Sequence, residues 1–198
     1  MQQATTKELY ASWDAIRNGR IAPRRFEIEP AKISRLLRDT FIAECSALPA
    51  FRFRLAGTQV CHYFGRELRG VDFMSLWSLE DQNTISSTLE NIVNDGAVGH
   101  GSFIAVTESN REVVFEFALL PLIHTGSTIN RILGAITAIE PPFWLGAEPL
   151  IALELRDVGL RWPDGIPHFL AGSNADAAHQ ARRRFRVVQG GLLSNTHR

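Results

Sequence analysis

The residues best able to do chemistry in this chain are few and scattered. There are two cysteines, Cys45 and Cys61, and six histidines, His62, His100, His124, His168, His179 and His197. A thiolate pair of Cys61 with His62 or His124 is the one nucleophilic arrangement on offer. Neighbours on an extended chain point apart, and a free cysteine is most often a buried thiol behaving as a small hydrophobe, which is the reading adopted here. No Gly-x-Ser-x-Gly elbow is present. The histidines are not spaced as local ligand pairs and no Cys-x2-Cys occurs, so no metal site is expected. "AGTQVCHYFG" lacks the Gly-x4-Gly-Lys-Ser/Thr phosphate loop, and "GHGS" at 99–102 is not followed by a helix signature. Arg52, Arg54, Glu112 and Glu116 fall at strand positions whose period faces them to solvent or a partner. The residues therefore point to no catalytic centre, and an enzyme is not expected.

The bulk numbers set the frame in which any site must sit. The chain has 198 residues, 45% hydrophobic and 21% charged, with Lys+Arg and Asp+Glu both 21. That is enough chain to bury a full core without staples. Zero net charge argues against a dedicated nucleic-acid binder, although "RRRFR" at 182–186 is a basic cluster in an Ala-rich stretch. It reads as a solvated tail. Two cysteines make no disulfide framework and suit a reducing compartment. The N-terminus has no signal-peptide core and no run is long enough for a membrane span, so a cytoplasmic protein is expected.

The positioning elements follow from periodicity. Residues 5–18 read as a helix, with Leu9, Trp13 and Ile16 on one face, Tyr10 beside them, and Gly19 as the stop. This stripe either covers the chain's own sheet or docks a second chain, since both bury the same face. Pro30 opens a second short helix whose face is Ile33, Leu36 and Leu37. Residues 40–45 suit a strand. In "FRFRLAGTQVCHYFGRELRG" (51–70), Phe51, Phe53 and Leu55 alternate with Arg52 and Arg54, which places the apolar residues on one face and the arginines on the other. Gly57, Gly65 and Gly70 then punctuate short turns through residue 77, where Arg54 or Arg66 could hold Glu67. A longer helix spans about 78–94 with Ile85, Leu89 and Ile92 inward. Residues 99–122 read as a hairpin about Ser109–Asn110–Arg111. Strands follow at 131–139 and 150–162. After about 171 a mobile tail is expected. Consecutive strands joined by tight turns imply an antiparallel sheet of about five strands, an α+β domain with helices gathered on one face.

The pieces "LYASWDAIRNGR", "APRRFEIEPAKI", "RLAGT", "FGRELRG" and "LW", in that order, resemble a PAS domain. More narrowly, they resemble the stand-alone single-PAS proteins common in alphaproteobacteria. The resemblance covers roughly residues 7–160. It implies a division into an N-terminal helical flank (1–38), a PAS-like domain with a five-stranded antiparallel sheet (39–162) and a flexible basic tail (163–198). It implies a bacterial signalling protein that senses or relays without catalysis, acts through contacts with a protein such as a histidine kinase, and forms a homodimer. For a small ligand in the PAS cavity the lining candidates are Phe64, Trp77, Phe103, Phe115 and Phe117, with His124 as polar contact. Against this, apolar strand residues are core by default. The Asn-Cys-Arg-Phe-Leu motif of the flavin-binding members is missing. Residues 78–96 hold no histidine for haem, and His100 lies just past them; no cofactor is therefore expected. The face available to a dimer or partner is Leu9, Tyr10, Trp13 and Ile16. A constitutively loaded carrier and a cavity enzyme are the rival readings.

Overall fold

The structure is a computed structural model that describes residues 1–48 and 50–165. The expected tail from 171, with its basic cluster, lies outside the described residues. Helix α1 is Ala4–Arg17. Residues 18–39 are a connector of short 3-10 turns, Arg25–Glu27, Pro30–Ile33 and Leu37–Asp39. Strands β1 (Thr40–Ala47) and β2 (Ala50–Ala56) form a hairpin. Then come α2 (Thr58–Tyr63), a 3-10 turn Phe73–Leu76 and α3 (Gln82–Asp95). Strands β3 (Val98–Thr107), β4 (Glu112–Leu122), β5 (Arg131–Ala138) and β6 (Leu150–Arg161) complete the described chain.

The sheet is antiparallel, in the order β2-β1-β5-β4-β3-β6. It has six strands, one more than the sheet of about five expected, and the strand read at 150–162 is β6. β6 pairs with β3 over most of its length and inserts Leu150 and Leu153 into the core. Both edges are partly covered, which blunts their exposed backbone. At β2, Phe53 N–H donates to Val71 O at 3.0 Å and Gly70 N–H to Phe53 O at 2.7 Å. At β6, Ser78 N–H donates to Leu153 O, and Leu155 N–H to the Asp81 carboxylate at 2.8 Å.

Helices α2 and α3 share one face of the sheet, and the N-terminal helix α1 covers the other. The inner face packs Phe41, Phe53, Phe103, Phe115 and Phe117 against α2, α3 and the 73–76 turn. The outer face packs Ile42, Leu120, Leu122 and Leu133 against Leu9 and Trp13 of α1 and against Ile28, Ile33 and Leu36 of the connector. The physical reason is visible in β4, whose residues 116–122 are all buried. A strand apolar on both sides needs a cover on both sides. The α1 stripe supplies the second one.

One β-bulge changes what the sheet presents. Ile42 pairs with Leu55 but Ala43 pairs with Phe53, so Arg54 is an extra residue in β2. A bulge shifts every following side chain to the other face. Phe51 and Phe53 enter the inner core as the alternation predicts. Leu55 instead emerges on the outer face beside Ile42, 45% exposed.

Candidate functional site

Four of the five aromatics expected to line a cavity pack directly on one another. Trp77 meets Phe103 edge-on at 5.4 Å between ring centroids and Phe117 at 6.1 Å, and Phe103 stacks on Phe115 at 5.2 Å. Phe64, Trp77, Phe103, Phe115 and Phe117 are all buried in the inner core. Trp77, Phe103, Phe115 and Phe117 pack on one another, and a separate gap among Phe41, Phe51, Phe73 and Leu89 does not admit a water molecule. The Trp77 indole N–H is buried with no acceptor among the described residues. An unmet donor of this kind costs about 1–3 kcal/mol. His124 is not part of this cluster. It lies exposed after β4, its backbone N–H held at 2.8 Å by the Asn130 side chain.

The N-terminal stripe is likewise reassigned. Leu9 and Trp13 are 1% and 0% exposed against the chain's own sheet, so they are not a face for a second chain. The Trp13 indole N–H donates to Pro121 O at 2.8 Å. Tyr10 and Ile16 are half-buried at the margin of the same cluster. Both ends of α1 are tied down by charge. At its N-terminus the carboxylate of Glu116, from β4, accepts the backbone N–H groups of Gln2 and Gln3 and the Thr6 hydroxyl. These are donors a helix start leaves unpaired. Burial alone would raise the Glu116 carboxyl, but the bonds from Thr6, Gln3 and Gln2 outweigh it and hold it below its ordinary 4.5. Glu116 is thus no solvent-facing strand residue, as its period suggested, but a buried cap supplied from the sheet. At the other end Arg17 reaches Asp14 at 2.6 Å and Asp164 at 3.0 Å.

The Cys61–His62 pair does not form. Cys61 sits at the α2 wall with its thiol 3.7 Å from Glu67, and His62 is exposed. Burial, reinforced by the Glu67 carboxylate, pushes the Cys61 thiol up. Burial does the same at Cys45. Both stay protonated and poorly nucleophilic. Arg54 does not reach Glu67; with Arg131 it clamps Glu44 across three strands.

What the strand pattern did not reveal is a concavity on the outer face. A groove of about 460 Å³ runs between the connector and the β1–β2 corner. Its floor and walls are Ile28, Ile33, Leu37, Ile42, Leu55 and Leu133, and Arg25 and Arg38 stand at the rim. α1 covers the outer face of β4 and β5, while β1 and β2 keep this hollow beside the connector. Its clearest sequence signal would have been the mismatch between Leu55 and its arginine-flanked setting. A bulge, however, leaves no mark in composition. Among the described residues no group of three or more His, Cys, Asp or Glu side chains converges to hold a metal, and no helix is long and apolar enough to cross a membrane.

A family model described as a PAS domain matches residues 1–137. Among solved structures the fold is similar to a Rhodobacter sphaeroides LOV protein, at 12% identity over 52% of this chain and 60% of that one, with a TM-score of 0.43. It is also similar to the PAS domain of a Colwellia psychrerythraea protein, at 14% identity over 56% of this chain and 98% of that one, TM-score 0.42. A third is the PAS domain of an HTR-like protein from Haloarcula marismortui, at 16% identity over 58% and 95%, TM-score 0.39. No curated protein matches the sequence.

Proposed function

The chain belongs to the PAS-domain family, and from that premise we propose that it is a bacterial, cytoplasmic signalling domain that relays through contact with another protein. The observation that carries this reading is the division between its two faces. The inner core packs its aromatics on one another, whereas the outer face keeps an apolar hollow with Leu55 45% exposed. Exposed apolar surface in a concavity is where association gains most from leaving water. The partner class is a histidine kinase or another signalling protein, and self-association into a dimer uses the same uncovered surface. The domain performs no chemistry of its own. Its carboxylates near the sheet serve structure: Glu116 caps α1, Glu44 is clamped by two arginines, and Asp157 accepts from Ser102.

A photo-crosslinking residue at position 55 in the living cell tests this, with position 90 on the exposed side of α3 as control. Capture of a signalling protein, or of a second copy, from position 55 and not from 90 supports the reading. Equal labelling from both positions sinks it.

A second reading, a small ligand in the inner core, is favoured by one observation: the orphaned Trp77 N–H. A ligand that brings an acceptor to that nitrogen recovers its lost hydrogen bond. Native mass spectrometry of freshly purified protein decides it. Extra mass lost on denaturation, and reduced by Trp77→Phe, supports the ligand; a clean apo mass removes it.

A further inference from the structure

We infer that the outer groove is a binding site for an anionic single-chain amphiphile, a medium-chain carboxylate. This inference rests on the signalling reading above and makes the groove a ligand site whose occupancy competes with the partner contact at Leu55. Three observations converge.

The first is size. About 460 Å³ falls inside the roughly 300–1,000 Å³ of small-molecule sites.

The second is the lining. It is mostly aliphatic, with Ser34, Thr40 and Thr58 the hydroxyl residues in it, and carries no aromatic ring. A planar heterocycle would find nothing to stack on there, whereas a flexible acyl chain suits a hollow whose floor of Ile28, Ile33, Ile42 and Leu133 is nearly buried and whose exposed apolar surface is chiefly Leu55. Leu55, turned outward by the bulge, is the one of these that stands 45% exposed, so it is the residue most in want of cover.

The third is charge. The lining contains two arginines and no acidic residue. The nearby carboxylates are taken. Glu27 is held by Arg20, Glu29 by Lys32, Asp39 by Arg38, and Glu44 by Arg54 and Arg131. Arg25 is half-buried at the rim, and among the described residues its guanidinium has no ion pair. A guanidinium fork suits a carboxylate, and Arg38 offers a second one, committed only to its sequence neighbour. An apolar trough bordered by Arg25, which has no ion pair among the described residues, and by Arg38, paired to Asp39 at 3.4 Å, suits a molecule with one anionic head and an aliphatic tail.

The location gives binding a consequence. The groove is closed on one side by the connector, which carries α1, and on the other by β1 and β2. An occupant therefore adds to the contacts by which the connector already packs on the sheet.

The test is calorimetric titration of the full chain with octanoate, nonanoate and decanoate, and with decyltrimethylammonium as the opposite charge. Saturable one-site binding is expected, tightening up to about fourfold per added methylene as apolar area is buried, with the cation bound at least tenfold more weakly. The double variant Arg25→Gln/Arg38→Gln should weaken decanoate about tenfold by removing the charge-assisted bonds, at an unchanged urea midpoint. Leu55→Glu, at an exposed position, should abolish binding and leave the fold intact. Equal binding of the cation, or no loss in either variant, overturns the assignment as mere adsorption. Absence of saturable decanoate binding, or binding of an acidic amphipathic peptide in its place, overturns it too. The signalling reading would then stand or fall by the crosslink from position 55.

Discussion

At the scale of single residues the clearest case is Glu116. It is 6% exposed and takes three hydrogen bonds from the start of α1. Glu116→Gln keeps the shape and removes the charge from charge-assisted bonds. We expect a loss of about 1–2 kcal/mol in urea unfolding at pH 7. The folded state holds this carboxyl below its ordinary 4.5, so its contribution is present above pH 4.5 and fades as pH falls toward the folded value. The gap between variant and native protein should close in that window. A gap unchanged down to pH 3 would refute the capping role. His100 adds in the same direction. Burial lowers it from 6.5. Below that pH the unfolded chain takes up a proton the folded state resists, and stability falls on acidification. Glu116 was visible in the sequence only as an outward strand position. Nothing local marks a side chain that caps a helix 110 residues away.

At the scale of elements, α1 is part of the domain and not an arm extended to a partner. Trp13→Ala should cost about 3–5 kcal/mol, because it empties a fully buried site and strands the Pro121 carbonyl. Thermal melts should show the loss at every protein concentration. A loss that appears only on dilution would return the stripe to a dimer interface. The corner after β2 is equally tight. A Cβ at Gly57 would overlap the Leu37 carbonyl oxygen, a backbone atom that cannot yield without moving the connector. Gly57→Ala should therefore destabilise by about 1–3 kcal/mol and disturb the groove, and decanoate titration beside a urea melt would report both. The hairpin β3–β4, helix α3 and strand β5 were legible from period and turn residues, with ends off by a few positions. Strand β2 was legible too, but its bulge was not, and so Leu55 was placed on the wrong face.

At the scale of the whole molecule, β6 is the addition that matters. The family match ends at residue 137, and β6 lies beyond it along the β3 edge. A chain stopped at residue 149 loses Leu150 and Leu153 from the core and bares β3 as an unpaired edge. It should associate through that edge, seen as concentration-dependent mass in light scattering; a stable monomer of native melting temperature would show β6 to be dispensable. The three-layer arrangement also explains why the charged groups near the sheet are spent on structure. A sheet covered on both faces must pair or cap each carboxylate it buries, as Glu44 and Glu116 show.

The sequence alone determined the order of elements, the antiparallel α+β class and the resemblance to the PAS family. All of these follow from local period and motif, which chain neighbours carry. Tertiary structure alone decided which face α1 covers, that Trp77, Phe103, Phe115 and Phe117 pack on one another, and that Leu55 with Arg25 and Arg38 borders an apolar groove outside. Those outcomes depend on one extra residue in a strand register and on pairings between residues far apart in the chain, and no local pattern encodes either.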